Sequence, residues 1–320
     1  IREASCRGSD LGHTKGTEDP QRVVTLAAGI DVGGTKCLGV VINEHGVVTR
    51  SLRKPTPVVG KLVDLLLEIN EELGAHDSLG VGVPGLITPQ GVIRASPNLK
   101  GVTEFPLRAN LESKMSTRVW VDNDATVACL AEWQYGAARG FGDVWMVTLG
   151  TGIGGGLISG GVLQHGAHGY AGEIGHMVVD PDGPSCPCGR RGCWERFASG
   201  TGLAYLADGE SGESVIGRAG VGESDALKVI DEFAKWVALG LANLTNMTDP
   251  SCIVLGGGLI RSSEILMPVV QRWFAEMLYS AGHRDHPQLR PAQLGEQAGA
   301  IGAALLPRHQ YRRDISTIGD

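Results

Sequence analysis

The sequence GIDVGGTKCLGVV, residues 29–41, joins two apolar runs through a short glycine turn. Two β-prone runs separated by such a turn are typical of a β-hairpin. A third strand follows the turn at His45-Gly46, and residues 62–73 then carry leucine and isoleucine at helical spacing before residues 78–85 return to a strand pattern. The segment therefore predicts a three-stranded meander, a helix and a further strand.

A second copy of this plan begins at residue 143. Residues 143–166 read DVWMVTLGTGIGGGLISGGVLQHG, again strand, glycine turn, strand, glycine turn and strand. Between the copies, residues 119–140 predict a strand and then a helix from about Ala125, with Asp124 at its N-cap. Further helices are expected at about 226–247, 263–278 and 295–306, with the strand CIVLGGG preceding the second of these. Strands and helices alternating in this way predict an α/β fold that is built twice.

Composition limits the classes of function. The 320 residues are 42% hydrophobic and 20% charged, enough for two domains, and the formal net charge of −7 argues against nucleic-acid binding. The absence of an apolar run of about 18 residues argues against a membrane span, and the polar N-terminal segment lacks the hydrophobic core of a signal peptide, so a cytoplasmic location is expected. Because most cysteines are scattered singly, no disulfide framework is indicated. Residues 1–22 are polar and are excluded from the fold as a disordered or processed tail.

The glycine turns suggest phosphate binding. Gly150-x-Gly152-x-x-Gly155 matches the dinucleotide-binding fingerprint, but a strand follows it where that fingerprint requires a helix. Two such hairpins could instead bind phosphates through backbone N–H groups, with Asp31 binding a divalent metal through water and Lys36 offsetting phosphate charge. The predicted nucleotide-contacting residues of the two hairpins are Asp31, Gly33, Gly34, Thr35, Lys36, Thr151 and Gly152.

Five motifs in order resemble the ROK family of sugar kinases and sugar-responsive repressors, and within it most closely the bacterial glucokinases. The motifs are GIDVGGTK, VDNDA, LGTGIGGG, GEIGHMVVDPDG and CPCGRRGCWE. The resemblance covers about residues 25–306 and implies an actin-like fold, a duplicated ribonuclease-H-like plan in two domains with a central cleft. We expect residues 23–126 with about 300–320 to form the small domain, and residues 127–299 to form the large one.

The same resemblance implies ATP-dependent phosphorylation of the 6-hydroxyl of a hexose, with Mg²⁺ accompanying ATP, and it assigns roles to particular residues. The residues it places against the sugar are Asn98, Asn123, Asp124, Glu173, His176 and Glu195. The residues it places against the adenosine are Gly256, Gly257 and Gly258. Asp122 and Thr126 depart from the residues common in relatives and are expected to influence sugar choice. Residues 208–224 match weakly and carry no assigned role.

The cysteine cluster predicts a structural zinc site. His176, Cys186, Cys188 and Cys193 follow the pattern His-x9-Cys-x-Cys-x4-Cys, and three thiolates with one imidazole suit a closed tetrahedral Zn²⁺ site. The alternative is a set of reduced cysteines without metal. Since His176 also belongs to the sugar motif and Glu195 follows the last cysteine, zinc is expected to order the sugar-binding loop.

Asp124 is the predicted general base, because the proton of a sugar hydroxyl must leave as the new P–O bond forms. A plain N-cap aspartate is the alternative. Glucose is the expected substrate, while fructose, mannose, N-acetylmannosamine and N-acetylglucosamine stay open, as does polyphosphate in place of ATP. A repressor is disfavoured because the residues before Ile30 lack the apolar periodicity of a DNA-binding helical domain. The resemblance also implies a homodimer or homotetramer.

Overall fold

The computed structural model describes residues 26–96, 99 and 101–316. The expected tail at residues 1–22 and the predicted sugar contact Asn98 lie outside the described residues. Among the helices of the described part, none combines the length and the hydropathy needed to cross a bilayer.

The first half of the chain builds a five-stranded sheet. In chain order its elements are β1 (Ala27–Val32), β2 (Lys36–Ile42), β3 (Val48–Pro55), α1 (Leu62–Leu73), β4 (Ser78–Val83), β5 (Leu86–Ile87), β6 (Ile93–Ala95), β7 (Thr103–Phe105), α2 (Leu107–Glu112) and β8 (Val119–Asn123). The sheet order is β3-β2-β1-β4-β8, with an antiparallel meander of β1, β2 and β3 and with β4 and β8 parallel to β1. Strands β5 to β7, which were not predicted, form a separate small sheet.

The second half repeats this sheet. Its elements are α3 (Asp124–Tyr135), β9 (Val144–Leu149), β10 (Ile153–Ser159), β11 (Val162–Gln164), α4 (Glu195–Ala198), α5 (Gly200–Leu206), α6 (Gly212–Gly220), α7 (Ser224–Thr248), β12 (Cys252–Gly256), α8 (Ser263–Met277), β13 (Gln288–Pro291) and α9 (Ala298–Ser316). The order β11-β10-β9-β12-β13 has the same directions as the first sheet. The predicted duplication and the actin-like, ribonuclease-H-like fold are therefore confirmed.

Helix α6 was not predicted. It lies in the stretch rich in Gly, Glu and Ser, where low helix propensity hides it. Ser211 caps it by accepting a hydrogen bond from Ser214 N at 3.2 Å, and Val215 and Ile216 are buried against the core of the second half. Tertiary packing thus stabilises a helix that its composition disfavours.

Helices α3 and α9 pack against each other between the two halves, α9 on the first sheet and α3 on the second. The close approach of α9 to the first sheet and to α3 depends on glycine residues, which have no Cβ. A Cβ at Gly80 would overlap the Ala303 carbonyl oxygen, and one at Gly29 would overlap the Ala300 carbonyl oxygen. A Cβ at Gly302 of α9 would likewise overlap the Val127 carbonyl oxygen of α3. The two helices and the sheet therefore meet backbone to backbone. The predicted domain boundaries stay a prediction.

We expect Gly80→Ala to lower the free energy of unfolding by about 1–3 kcal/mol or more, because the obstructing atom is backbone and the helix must move to admit a methyl group. Gly217→Ala is the matched control. Gly217 lies within α6 with no atom within 4 Å of an added Cβ, so alanine there is expected to stabilise by up to about 1 kcal/mol. Urea unfolding followed by circular dichroism measures both changes, and equal midpoints for Gly80→Ala and the wild type would contradict the packing argument.

Candidate active site

Strand β8 and helix α3 meet at the predicted Asn-Asp pair. Asn123, not Asp124, is the N-cap: its Oδ1 accepts hydrogen bonds from Ala125 N at 2.9 Å and Thr126 N at 3.1 Å. The N-cap assignment to Asp124 was therefore wrong, since Asn and Asp are both favoured at that position and adjacent residues cannot be told apart by preference alone. Asp124 is the first residue of α3, and its Oδ1 accepts a hydrogen bond from Ala125 N at 2.9 Å.

The amide nitrogen of Asn123 bonds to the turn that follows β4. Its Nδ2 donates to the Gly85 carbonyl oxygen at 3.1 Å. All polar atoms of this amide thus have backbone partners, and the predicted sugar-contacting side chain has one defined orientation.

Four acids converge at this point. Burial, and then the charge of Asp124, raise the pKa of Asp31 to about 7, while Lys36 acts in the opposite direction. Burial raises the pKa of Asp124. The pKa of Glu173 is raised by burial and by the charges of Asp124 and Glu195, against the effect of His176. Because the charge of Asp124 acts on both Asp31 and Glu173, and the charge of Glu195 acts on Glu173, the predicted metal, base and sugar residues lie near one another.

The two predicted phosphate hairpins are present as tight turns at residues 33–35 and 150–152. In the first, the Thr56 hydroxyl donates to Gly33 O at 2.6 Å and the Thr56 N–H donates to Thr35 O at 3.0 Å. A trans peptide directs its N–H opposite to its carbonyl, so the bond to Gly33 O turns the N–H of Gly34 away from Thr56.

The second hairpin is supported in the same way by different elements. Gly200 N donates to Gly150 O at 2.7 Å, and the Thr201 hydroxyl donates to Thr151 O at 3.0 Å. These bonds turn the N–H groups of Thr151 and Gly152 to the opposite side. Successive N–H groups with a common direction form an anion-binding concavity.

Lys36, predicted to offset phosphate charge, is paired with an acid from the turn before α9. Its Nζ lies 2.8 Å from Glu296 Oε2, and Arg53 pairs with the same carboxylate. Hydrogen bonds from Lys36 and Arg53 lower the pKa of Glu296 to about 2. The cation therefore has a fixed position at the end of the first hairpin.

The predicted adenosine turn lies beside the second hairpin. A Cβ at Gly257 would lie 2.5 Å from Leu149 O, the last residue of β9. No atom lies within 4 Å of a Cβ built at Gly258, so space is open on that side of the turn.

The residues predicted to bind zinc are brought together. The ligand atoms of His176, Cys186, Cys188 and Cys193 all lie within 4.8 Å of one another. Cys186 Sγ is 3.8 Å from His176 Nδ1, and Cys188 Sγ is 3.6 Å from Cys193 Sγ. A zinc tetrahedron with bonds of about 2.3 Å to sulfur has edges of about 3.8 Å, so the donor set and its spacing fit Zn²⁺.

Tight turns shape this loop. Cys186 N donates to Arg190 O at 2.8 Å, and Gly189 N donates to Cys186 O at 3.0 Å. Gly192 has φ of 65°, and a Cβ there would overlap the Asp180 carbonyl oxygen. Only glycine fits this position, which brings Cys193 back toward the other ligands.

Glu195 connects the cysteine cluster to the second hairpin. Its Oε1 lies 3.2 Å from Cys186 Sγ and 3.6 Å from His176 Nδ1, and its Oε2 accepts a hydrogen bond from Ile153 N at 3.4 Å. The neighbouring Trp194 is fully buried, and its indole N–H donates to Trp236 O at 2.7 Å. The loop is thereby anchored on α7.

Sequence reasoning missed several residues around the site. His165 Nε2 lies 2.7 Å from Asp122 Oδ2 across 43 positions. Thr56 and Thr201 lie 23 and 50 positions from the carbonyls that they bind. Buried Glu132 accepts hydrogen bonds from Ala137 N at 2.8 Å and from Leu294 N at 2.7 Å, joining α3 to the segment before α9. Pairs between residues so distant in sequence produce no local spacing pattern from which they could be predicted.

The chain is similar in sequence to known proteins. The sequence profile described as ROK family matches residues 27–310. A glucokinase of Streptomyces coelicolor is 33% identical over 310 residues, covering 88% of this chain and 98% of the relative. An N-acetylmannosamine kinase of Escherichia coli is 36% identical over 294 residues, covering 89% and 98%.

A solved structure is also similar. The crystal structure of a ROK family glucokinase from Streptomyces griseus, in complex with glucose and AMPPNP, aligns with a TM-score of 0.80 at 33% identity and covers 88% of this chain and 98% of that chain. With the five motifs, the duplicated sheets and a family match over almost all of the described residues, this chain belongs to the ROK family.

Proposed function

We propose that this protein is an ATP-dependent hexose kinase that phosphorylates the 6-hydroxyl of glucose, with Asp124 as the general base and a structural zinc ordering the sugar-binding loop. The observation that carries the proposal is the position of Asp124. It begins α3 beside the Asn123 cap, and its charge acts on both Asp31 at the first hairpin and Glu173 of the sugar motif. A base in that position lies between a phosphate site and a polyol site.

The choice of sugar rests on the relatives. A glucokinase is 33% identical, which favours glucose, whereas an N-acetylmannosamine kinase at 36% identity makes N-acetylmannosamine the second candidate.

In the proposed mechanism the sugar is bound by Asn123, Glu173, His176 and Glu195, and its 6-hydroxyl donates to the Asp124 carboxylate. As the oxygen attacks the terminal phosphorus of ATP, the bond from that phosphorus to the bridging oxygen of the β-phosphate breaks, ADP leaves and Asp124 accepts the proton. The raised pKa of Asp124 makes it a stronger base than an ordinary aspartate. Proton acceptance of this kind contributes roughly 10²–10⁴-fold to the rate.

The phosphates lie against the outward N–H groups of the two hairpins. Holding donor and acceptor in line can supply about 7–11 kcal/mol of the barrier lowering. Mg²⁺ bound with ATP would neutralise the developing charge on the phosphates. Asp31, with its pKa of about 7, is the residue of this chain that would hold it, because a nearby cation favours the ionised carboxylate.

A coupled assay over glucose, fructose, mannose, N-acetylmannosamine and N-acetylglucosamine, with ATP and with polyphosphate, tests the function. The highest kcat/KM is expected for glucose with ATP, and NMR of the product should place the phosphate on O6. Preference for N-acetylmannosamine would select the second candidate. Absence of transfer to every sugar would contradict the proposal.

We expect Asp124→Asn to lower kcat by about 10²–10⁴-fold, because asparagine keeps the hydrogen bond to Ala125 N but cannot accept the proton. Glucose binding measured by calorimetry should change by less than about threefold, since the sugar keeps its other partners. The control is Asp64→Asn, an exposed aspartate paired with Lys114, which should leave kcat unchanged. Near-normal kcat for Asp124→Asn would remove Asp124 from the base role.

Zinc removal should weaken sugar binding before the fold is lost. In Cys193→Ser the metal site lacks one thiolate, so the loop that ends in Glu195 loses its crosslink. We expect less than one zinc per chain by mass spectrometry and a glucose Kd raised at least about tenfold, with most of the far-ultraviolet dichroism retained. Cys252→Ala, a core cysteine outside the cluster, should keep its zinc. An unchanged glucose Kd in zinc-free protein would contradict a role for the metal in ordering the pocket.

A further inference from the structure

Residues 165–172, named here the 165–172 loop, connect β11 to the sugar-motif residue Glu173. The loop is closed on itself by a hydrogen bond from Ala171 N to His165 O at 3.0 Å. It belongs by sequence to the second half of the molecule, yet it contacts the first half along its length.

Three contacts carry the loop onto the first half. His165 Nε2 lies 2.7 Å from Asp122 Oδ2. A Cβ at Gly169 would overlap the Ile87 carbonyl oxygen, so the backbone of the loop lies directly on β5. The guanidinium of Arg94, on β6, lies near the Tyr170 side chain.

The Asp122 carboxylate bonds in two directions. Oδ1 accepts a hydrogen bond from Asn123 N at 2.8 Å, and Oδ2 accepts one from His165 Nε2. The side chain of Asp122 is 6% exposed and that of His165 is 16% exposed. A buried carboxylate is costly unless its oxygens are bonded, so loss of either partner leaves an unsatisfied oxygen beside the Asn123 peptide.

The end of the loop is fixed on its other side by the second sheet. A Cβ at Gly172 would overlap the Gly155 carbonyl oxygen of β10, and Ile174 N donates to Gly172 O at 2.7 Å. Glu173 therefore lies between a segment anchored on β10 and a loop anchored on β8. A continuous series of covalent and hydrogen bonds therefore links the backbone of Asn123 to the segment that precedes Glu173.

We propose that His165 and Asp122 are positioning residues for hexose binding: the pair fixes the 165–172 loop to the strand that carries Asn123 and Asp124, and so sets Glu173 relative to both. The inference rests on the proposed hexose kinase function and deepens it, because it concerns the sugar subsite and not the phosphate hairpins. Neither residue is assigned contact with the reacting atoms.

The test compares three variants with the wild type in zinc-loaded, full-length protein. His165→Ala removes the donor. His165→Gln places an amide N–H near the former Nε2 position and should restore the bond. His168→Ala is the matched control, an exposed histidine of the same loop.

We expect His165→Ala to raise the KM for glucose about tenfold while the KM for ATP and kcat at saturating glucose change less than about threefold, as for the loss of a hydrogen bond to a charged group away from the reacting atoms. His165→Gln should return the glucose KM to within about threefold of the wild type, and His168→Ala should match it. An unchanged glucose KM in His165→Ala, or equal rises in the glucose and ATP KM values, would overturn the proposal.

Hydrogen–deuterium exchange gives a readout that needs no turnover. In His165→Ala the amides of the 165–172 loop and of residues 123–126 should both exchange faster, since Asn123 N bonds to the Asp122 carboxylate. Faster exchange confined to the loop would overturn the positioning role even in an active kinase. A wild type that phosphorylates no hexose would overturn the proposed function alone, and exchange at residues 123–126 would still decide the coupling.

Discussion

The backbone contact between α9 and the first sheet is the constraint on which the site depends. Because Gly29 and Gly80 carry no side chain, α9 lies directly on β1 and β4, and its second residue, Gly299, comes so near the end of β1 that a Cβ there would lie 2.6 Å from Asp31 Cγ. Gly302 brings α3 equally close, and α3 begins with Asp124. The spacing of the two acids thus follows from packing that any larger residue would disturb. Their raised pKa values are a consequence of that burial.

A second set of contacts joins the predicted sugar-binding residues to the second predicted phosphate hairpin. Glu195 contacts the cysteine cluster and Ile153 N, and the segment that follows it, through Gly200 and Thr201, binds the carbonyls of the second hairpin. Buried Ser199 lies between them, with its hydroxyl 2.9 Å from that of Thr201. The cysteine cluster, Glu195 and the second hairpin therefore belong to one hydrogen-bonded unit.

Local features of the sequence were sufficient for much of this architecture. Glycine turns between apolar runs predict both meanders, the leucine spacing predicts α1 at residues 62–73 as found, and the spacing of His176 and the cysteines predicts a cluster that the structure assembles. Features that depend on contacts between residues distant in sequence could not be predicted. Helix α6 is stabilised by tertiary packing although its composition disfavours a helix. The N-cap is the first member of the Asn-Asp pair and not the predicted second one, and the partner of Asp122 lies in the other half of the molecule. Two residues that only the fold brings together leave no periodic signal.

The supports behind the two hairpins differ in origin. Thr56, at the end of the meander, serves the first hairpin, whereas Gly200 and Thr201, at the start of a helix that follows the cysteine loop, serve the second. Duplication accounts for the matching turns but not for these supports, which differ between the two copies. The two turns therefore differ in what can disturb them. A change in the cysteine loop reaches the second turn through the residues that directly follow the loop in the chain, whereas the support of the first turn does not depend on that loop.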